Sequence, residues 1–465
     1  MIDGQTRPWI ARLPRPGPGP RAGRSGVRLA LVILLLGSAC SASRTRPDGA
    51  APPADAGAPA PCVASCDLPS FIGALPDEAG VGLERILGAA SLPGRLAVLT
   101  VRNPGDLGDD EALIGRSGYA LLTFDWETGA SRLAPSDRRL LTRSTLVAGA
   151  IRSRDGGLEA IVLQSESGPP PSGVAGALTR ILWSESGDIV DVSELGAVSL
   201  GRWSCRCPWY AAVAMNRMSA AVVAMDGRTI VGGAFSLDPL ATLRSGPLAV
   251  VSSLPAESSG GPLGAALTEG GELGVVGGGQ EWPPDGAEAF FASVPLSSTE
   301  PAAITTWPGS RDDPRPVVAV DGPALAVARY ASDHADLRGG TVIVEGLSAG
   351  TMLGSAYRAP TAGGLPPIEL VAQTSSDGAV VGWSSHALDR SRGATFHLLP
   401  RPAGSVCGTV EVLAAVALEL QPAPLPGAVA LAAHDDGLFV VLAGVDPGAA
   451  VTALWLPRCV VAPSP

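Results

Sequence analysis

The chain has 465 residues, 46% of them apolar and 17% charged, with a formal net charge of −11. All 33 basic residues are arginine, which excludes chemistry built on a phosphate-loop, Schiff-base or kinase-type lysine. The acidic balance argues against nucleic acid and anionic lipid surfaces as partners and favours solubility.

In chain order, Arg21, Arg24 and Arg28 lead into an apolar core, Leu29–Leu36, followed by Gly37, Ser38, Ala39 and Cys40. Such a core is far short of the about 20 apolar residues that span a bilayer, and it suits a cleaved export signal. The segment resembles a bacterial lipoprotein signal with Cys40 as the lipidated residue. The family pattern has leucine three places before the cysteine; here Gly37 stands there and Leu36 one place earlier. The resemblance implies a diacyl group plus an amide-linked chain, and more than one acyl chain gives stable anchoring. Ser41, in place of aspartate, implies the outer membrane. Ordinary cleavage after a small residue, giving a secreted or periplasmic soluble protein, is the alternative. Residues 1–26 form a long lead rich in Pro and Gly, and Val27 is an alternative start.

Three regions follow: a signal segment at 1–39, a lipidated Cys40 with an Ala- and Pro-rich tether to residue 61, and one folded domain over 62–465. The tether lacks large apolar residues, so it can bury no core and reads as an extended linker. Residues 1–39 hold six arginines and one aspartate, so the rest carries 27 arginines against 43 acids, a net charge of −16. Six cysteines remain after Cys40: Cys62, Cys66, Cys205, Cys207, Cys407 and Cys459. An even number in an exported chain indicates disulfides. Cys407 with Cys459 is the expected pair, while the other four bridge each other or close locally. Zinc is the alternative, although the two-residue ligand spacing is missing.

From residue 90 to 445 one pattern recurs: an apolar strand, a tight turn and a second apolar strand. The turns are Pro93-Gly94, Asp155-Gly156, Asp226-Gly227, Gly270-Gly271, Asp321-Gly322, Asp377-Gly378 and Asp436-Gly437. Glycine after aspartate permits the positive φ of primed hairpin turns. The strands leaving these turns read RLAVLTV, LEAIVLQ, RTIVGGA, ELGVVGG, PALAVAR, AVVGWSS and LFVVLAG. Six entering strands read STLVAGAI, AAVVAM, LGAALT, PVVAV, IELVAQT and AVALAA. Continuous apolar runs suit strands covered on both faces, and small residues in the entering strands suit crowding about an axis. A more aromatic third strand follows in most repeats (YALLTFDW, LTRILWS, EAFFASV, GTVIVEG, ATFHLLP and VTALWLP), then a weaker fourth, as in DIVDVSEL. The turn glycines are 44 to 71 residues apart. This order of strands resembles a β-propeller blade. The resemblance implies an all-β, seven-bladed propeller of four-stranded antiparallel blades; two β-sandwich domains are the alternative. Only 28 residues follow Gly437, room for about three strands. The segment Leu68–Leu92 is therefore expected to supply the missing outer strand through Phe71-Ile72-Gly73-Ala74, which removes an exposed edge.

The longest interval reads as an insertion at Leu200–Met218, with Trp203, Arg206, Trp209 and Tyr210 as ligand-binding candidates. Aromatic and arginine side chains are favoured anchors, and the competing reading is a loop that buries its own aromatics. Asp106 and Asp109 in an acidic loop, and Asp333, His334 and Asp336 in a D-H-x-D cluster, are weak metal candidates against a solvated loop. His397 reads as packed within its strand and His434 as exposed beside its turn. No H-E-x-x-H or G-x-G-x-x-G motif occurs, and neither a cofactor nor a catalytic residue is assigned. The expectation is an extracytoplasmic binding or scaffolding module for an envelope protein or glycan, touching the membrane through its lipid anchor only. A propeller hydrolase or lyase acting on an extracellular polymer is the alternative.

Overall fold

The computed structural model describes residues 70–75, 83–108, 113, 115–143, 147–165, 175–199, 210–226, 229–237, 246–253, 263–278, 289–308, 313–332, 340–348, 351–360, 369–375, 378–386, 394–399, 411–412, 416–420, 426–444 and 451–457. They form seven antiparallel sheets. Blade one comprises Leu83–Leu92, Arg95–Arg102, Arg116–Asp125 and Ser131–Leu133. Blade two comprises Gly149–Arg154, Gly157–Ser165, Ala175–Ser184 and Ile189–Ser199. Blade three comprises Tyr210–Met215, Ser219–Asp226, Thr229–Ser236 and Gly246–Ser253. Blade four comprises Gly264–Leu267, Glu272–Gly277, Ala289–Pro295 and Ile304–Trp307. Blade five comprises Val317–Asp321, Ala324–Ser332, Gly340–Ser348 and Thr351–Pro360. Blade six comprises Glu369–Ser375, Gly378–His386, Ala394–Leu399 and Val416–Leu420.

Blade seven joins the two ends of the domain. Its first three strands are Pro426–His434, Gly437–Gly444 and Val451–Pro457, and its outermost strand is Ser70–Leu75. Ser70 stands opposite Trp455 and Leu75 opposite Val451. The expected closing segment is thus two elements: 70–75 completes blade seven, and Leu83–Leu92 opens blade one as its innermost strand.

The first strands touch in series, blade by blade, and the last of them returns to the first. That closed order is a seven-bladed propeller, and it removes the two-sandwich alternative. The cores follow the same geometry. Among the described residues seven buried clusters occur, and each draws on two adjacent blades. Leu158, Ala160 and Val162 face blade one, while Ile161 and Leu163 on the same strand face blade three. Alternate side chains leave a strand on opposite faces, so covering both faces demands the unbroken apolar runs seen in the sequence. Each fully buried Val, Leu or Phe contributes about 1.5–3 kcal/mol, which spreads the stability over seven seams.

Four turn glycines, Gly94, Gly156, Gly271 and Gly322, have φ between 61° and 80°, as their hairpins require. Blade three departs from the expected pattern. Asp226-Gly227 lies between its second and third strands, so AAVVAM is a second strand and RTIVGGA a third. Leu200–Met218 is not wholly an insertion, because Tyr210–Met215 within it is the innermost strand. The true first hairpin turns at Asn216, whose Oδ1 accepts from Met218 N at 2.9 Å and Ser219 N at 2.7 Å. An asparagine side chain can hold such a turn without glycine. Counting this hairpin at Met218, the first-turn spacings become 62, 62, 53, 51, 56 and 59 residues. Two blades exceed four strands: Leu141–Arg143 also pairs with the third strand of blade one, and Glu411–Val412 runs parallel to the outer strand of blade five.

Candidate functional site

Most residues singled out in the sequence lie outside the described set: Cys40 and the other six cysteines, Trp203, Arg206, Trp209, Asp109, Asp333, His334 and Asp336. Tyr210 starts the innermost strand of blade three, opposite Met225. Asp106 lies in the short 3-10 turn Gly105–Leu107. Among the described residues no three His, Cys, Asp or Glu side chains gather to hold a metal ion.

The densest charged constellation lies elsewhere, on the face of blade two that meets blade three. Register places Arg152 opposite Glu159 across the first hairpin, and Arg180 opposite Ile161. Opposed residues share a face of the sheet, so the two arginines and the glutamate converge. Glu159 is fully buried. Its Oε2 accepts from Arg152 Nε at 2.8 Å and from Arg152 Nη2. Its Oε1 accepts from Arg180 Nε at 2.5 Å, and Arg154 Nη1 stands 3.7 Å away. The side chains of Arg152, Arg180 and Arg154 are 24%, 19% and 49% exposed. A carboxylate withdrawn from water is costly unless paired and hydrogen-bonded; here it is both.

Arg152 also crosses the seam. Its Nη1 donates to the Asn216 carbonyl, and its Nη2 lies 3.4 Å from the Arg217 carbonyl. Asn216 passes the link onward, its Nδ2 donating to Thr268 O in blade four at 2.7 Å. Similar ties cross other seams at this rim. Ser91 Oγ donates to Ala433 O at 2.8 Å, Arg95 Nη1 to Glu185 O at 2.9 Å, and Val320 N to Thr374 Oγ1 at 3.0 Å. Together these bonds tie five of the seven seams at this rim among the described residues. None of them was anticipated from the sequence.

Two histidines are also placed. His397 is buried, as expected, stacked on Trp383 with ring centroids 5.2 Å apart. Burial pulls its pKa down to about 4. His434 is not fully exposed: its side chain is 24% accessible and lies edge-on to Trp126 and Trp455. Its Nδ1 accepts from Asp436 N at 3.2 Å, which turns the ring back over the blade seven core. Aromatic partners across the closing seam, unseen in the local sequence, account for the difference. Tyr119 is another buried polar group, and its hydroxyl donates to Leu163 O of blade two; burial raises its pKa.

No protein-family model and no curated protein matches this chain. Solved structures do. A sialidase from Trypanosoma rangeli, in complex with sialic acid, aligns over 81% of this chain at 11% identity and a TM-score of 0.38. This chain covers 54% of that protein's length. The β-propeller domain of the trilobed protease from Pyrococcus furiosus, described as having an open velcro topology, aligns over 81% of this chain and 94% of its own, at 8% identity and a TM-score of 0.40. The Cps50 (Swd1) β-propeller domain from Myceliophteria thermophila aligns over 84% and 99%, at 13% identity and 0.43. At these values the likenesses assign neither an activity nor a ligand to this chain.

Proposed function

We propose that this chain is an exported, outer-membrane lipoprotein whose propeller acts as a binding module for an envelope protein or glycan. The observation that carries the reading is the place where the tether joins the ring. Ser70–Leu75 is the outermost strand of blade seven, so the chain arriving from Cys40 meets the propeller at its outer edge. An anchor at the periphery leaves both rims and the axis open to a partner. A ring suspended in this way suits display, and closure by that same strand pairs the edge that Val451–Pro457 would otherwise expose.

The test is incubation of the purified mature chain with envelope polysaccharide fractions, followed by sedimentation and by sizing of the polymer. Saturable co-sedimentation with polymer length unchanged supports a binding module. Shortening of the polymer favours the hydrolase or lyase reading and overturns this one. Mass spectrometry of the mature N-terminus decides the anchor. An acylated Cys40 supports it, and a free amine on any other residue refutes it in favour of a secreted or periplasmic soluble form.

A further inference from the structure

We propose that the arginine cluster between blades two and three binds an oxyanion, the carboxylate or phosphate group of an acidic glycan. The proposal rests on the binding reading above and names its chemistry.

The first ground is charge. Three guanidiniums surround one carboxylate, and Arg217 is exposed beside them. This is a local positive excess in a chain of net charge −11. Blade five shows what a purely internal pair looks like: buried Glu345 faces a single arginine, Arg329, at 3.2 Å, and that guanidinium is covered by the Trp307 ring at 5.1 Å. One arginine suffices to neutralise a buried glutamate, so the further two in blade two are surplus to that task.

The second ground is organisation. Glu159 and the Asn216 carbonyl fix Arg152, and Glu159 fixes Arg180 through Nε alone. The two amino groups of Arg180 hydrogen-bond no other described residue, and Arg154 stands at 3.7 Å without a hydrogen bond. Guanidinium donors held by a buried carboxylate need little reordering when an anion arrives, and their planar fork matches carboxylate and phosphate oxygens.

The third ground is position and surroundings. Arg152 and Arg154 lie on the innermost strand, at its hairpin end, where a ligand near the axis can reach them. Val190 and Met218 are the exposed large apolar side chains among the described residues. Met218 lies in the blade three hairpin beside Arg217, so this rim offers a charged surface with apolar contact only at its margin.

The experiment is calorimetric titration of the purified mature chain with trigalacturonate, galactotriose, inorganic phosphate, an acidic hexapeptide and phosphatidylglycerol vesicles, repeated with Arg154→Gln and Arg180→Gln. Trigalacturonate should bind, galactotriose should not, and phosphate should compete. Arg154→Gln should weaken binding about tenfold, the loss of one charge-assisted contact, with its thermal midpoint unchanged. Raising salt should weaken binding further. Equal binding of the acidic and neutral trimers, wild-type affinity in Arg154→Gln, or no binding at millimolar probe would overturn the proposal. Tighter binding of the hexapeptide or the vesicles would overturn the glycan assignment. An envelope polymer bound equally by wild type and Arg154→Gln would keep the general function and remove this site.

Discussion

Glu159→Gln tests whether the cluster is the buried network described above. The substitution keeps the side-chain shape and one acceptor oxygen but removes the charge that Arg152 and Arg180 share. Breaking a fully buried ion pair from one side costs about 3–5 kcal/mol. Here the arginines keep 19% and 24% of their side-chain surface, so water offsets part of the loss and about 2–3 kcal/mol is expected. Arg154→Gln is the control. That side chain is half exposed and 3.7 Å from the carboxylate, a surface contact that contributes about 0–1 kcal/mol. Guanidinium denaturation followed by tryptophan fluorescence measures both. A triple replacement, Glu159→Leu with Arg152→Met and Arg180→Met, should recover to within about 1 kcal/mol of wild type, because an apolar set of similar volume replaces a buried ionic one at little cost. If Glu159→Gln lies within about 0.5 kcal/mol of wild type, well under the usual cost of an orphaned buried charge, the guanidiniums swing freely into water and the network reasoning fails.

Three further expectations follow from the rim, the closing seam and the buried histidine. Asn216→Ala removes the cap of the blade three hairpin and the bond to Thr268, costing about 1–2 kcal/mol in the same denaturation assay; Asn216→Asp keeps the two turn bonds and should lose less. Gly73→Ala places a Cβ 2.7 Å from the Gly129 carbonyl oxygen. Overpacking against rigid backbone costs about 1–3 kcal/mol, and loosening of the closing strand should appear as faster proteolysis near residue 70. His397 binds its proton near 6.5 when unfolded but only near 4 when folded. Between those values the unfolded chain holds more protons, so stability rises with pH and falls on acidification, by up to about 3 kcal/mol. His397→Phe should flatten that slope relative to wild type between pH 6.5 and 4; an unchanged slope would show that this histidine titrates as it does in the unfolded chain.

How far such features can be read in advance depends on the range of the signal that specifies them. Four first hairpins were legible because a glycine turn flanked by apolar runs is a local statement, whereas Gly378 and Gly437 open the second strands of blades six and seven one residue past the turn. The closing strand was legible because a count of strands after Gly437 left one place empty. Blade three was misread for a local reason too: its hairpin is held by Asn216, and a search for glycine passed over it to Gly227. Half of the charged cluster was within reach. With Asp155-Gly156 as a two-residue turn, hairpin register alone sets Arg152 opposite Glu159. Glu159 was instead absorbed into the run LEAIVLQ, read as wholly apolar. Arg180 is different in kind. Its place beside Glu159 depends on how the connection 166–174 returns the chain to the sheet, and nothing in the composition of that connection fixes the register of the third strand. The Asn216 carbonyl is further removed still, because it is supplied by another blade and exists as a partner only once the ring is assembled. A site assembled from one hairpin, a long return and a neighbouring blade thus passes from local to tertiary specification within a few ångströms, and the arginine that a sequence pattern could not place is held to Glu159 through its Nε alone.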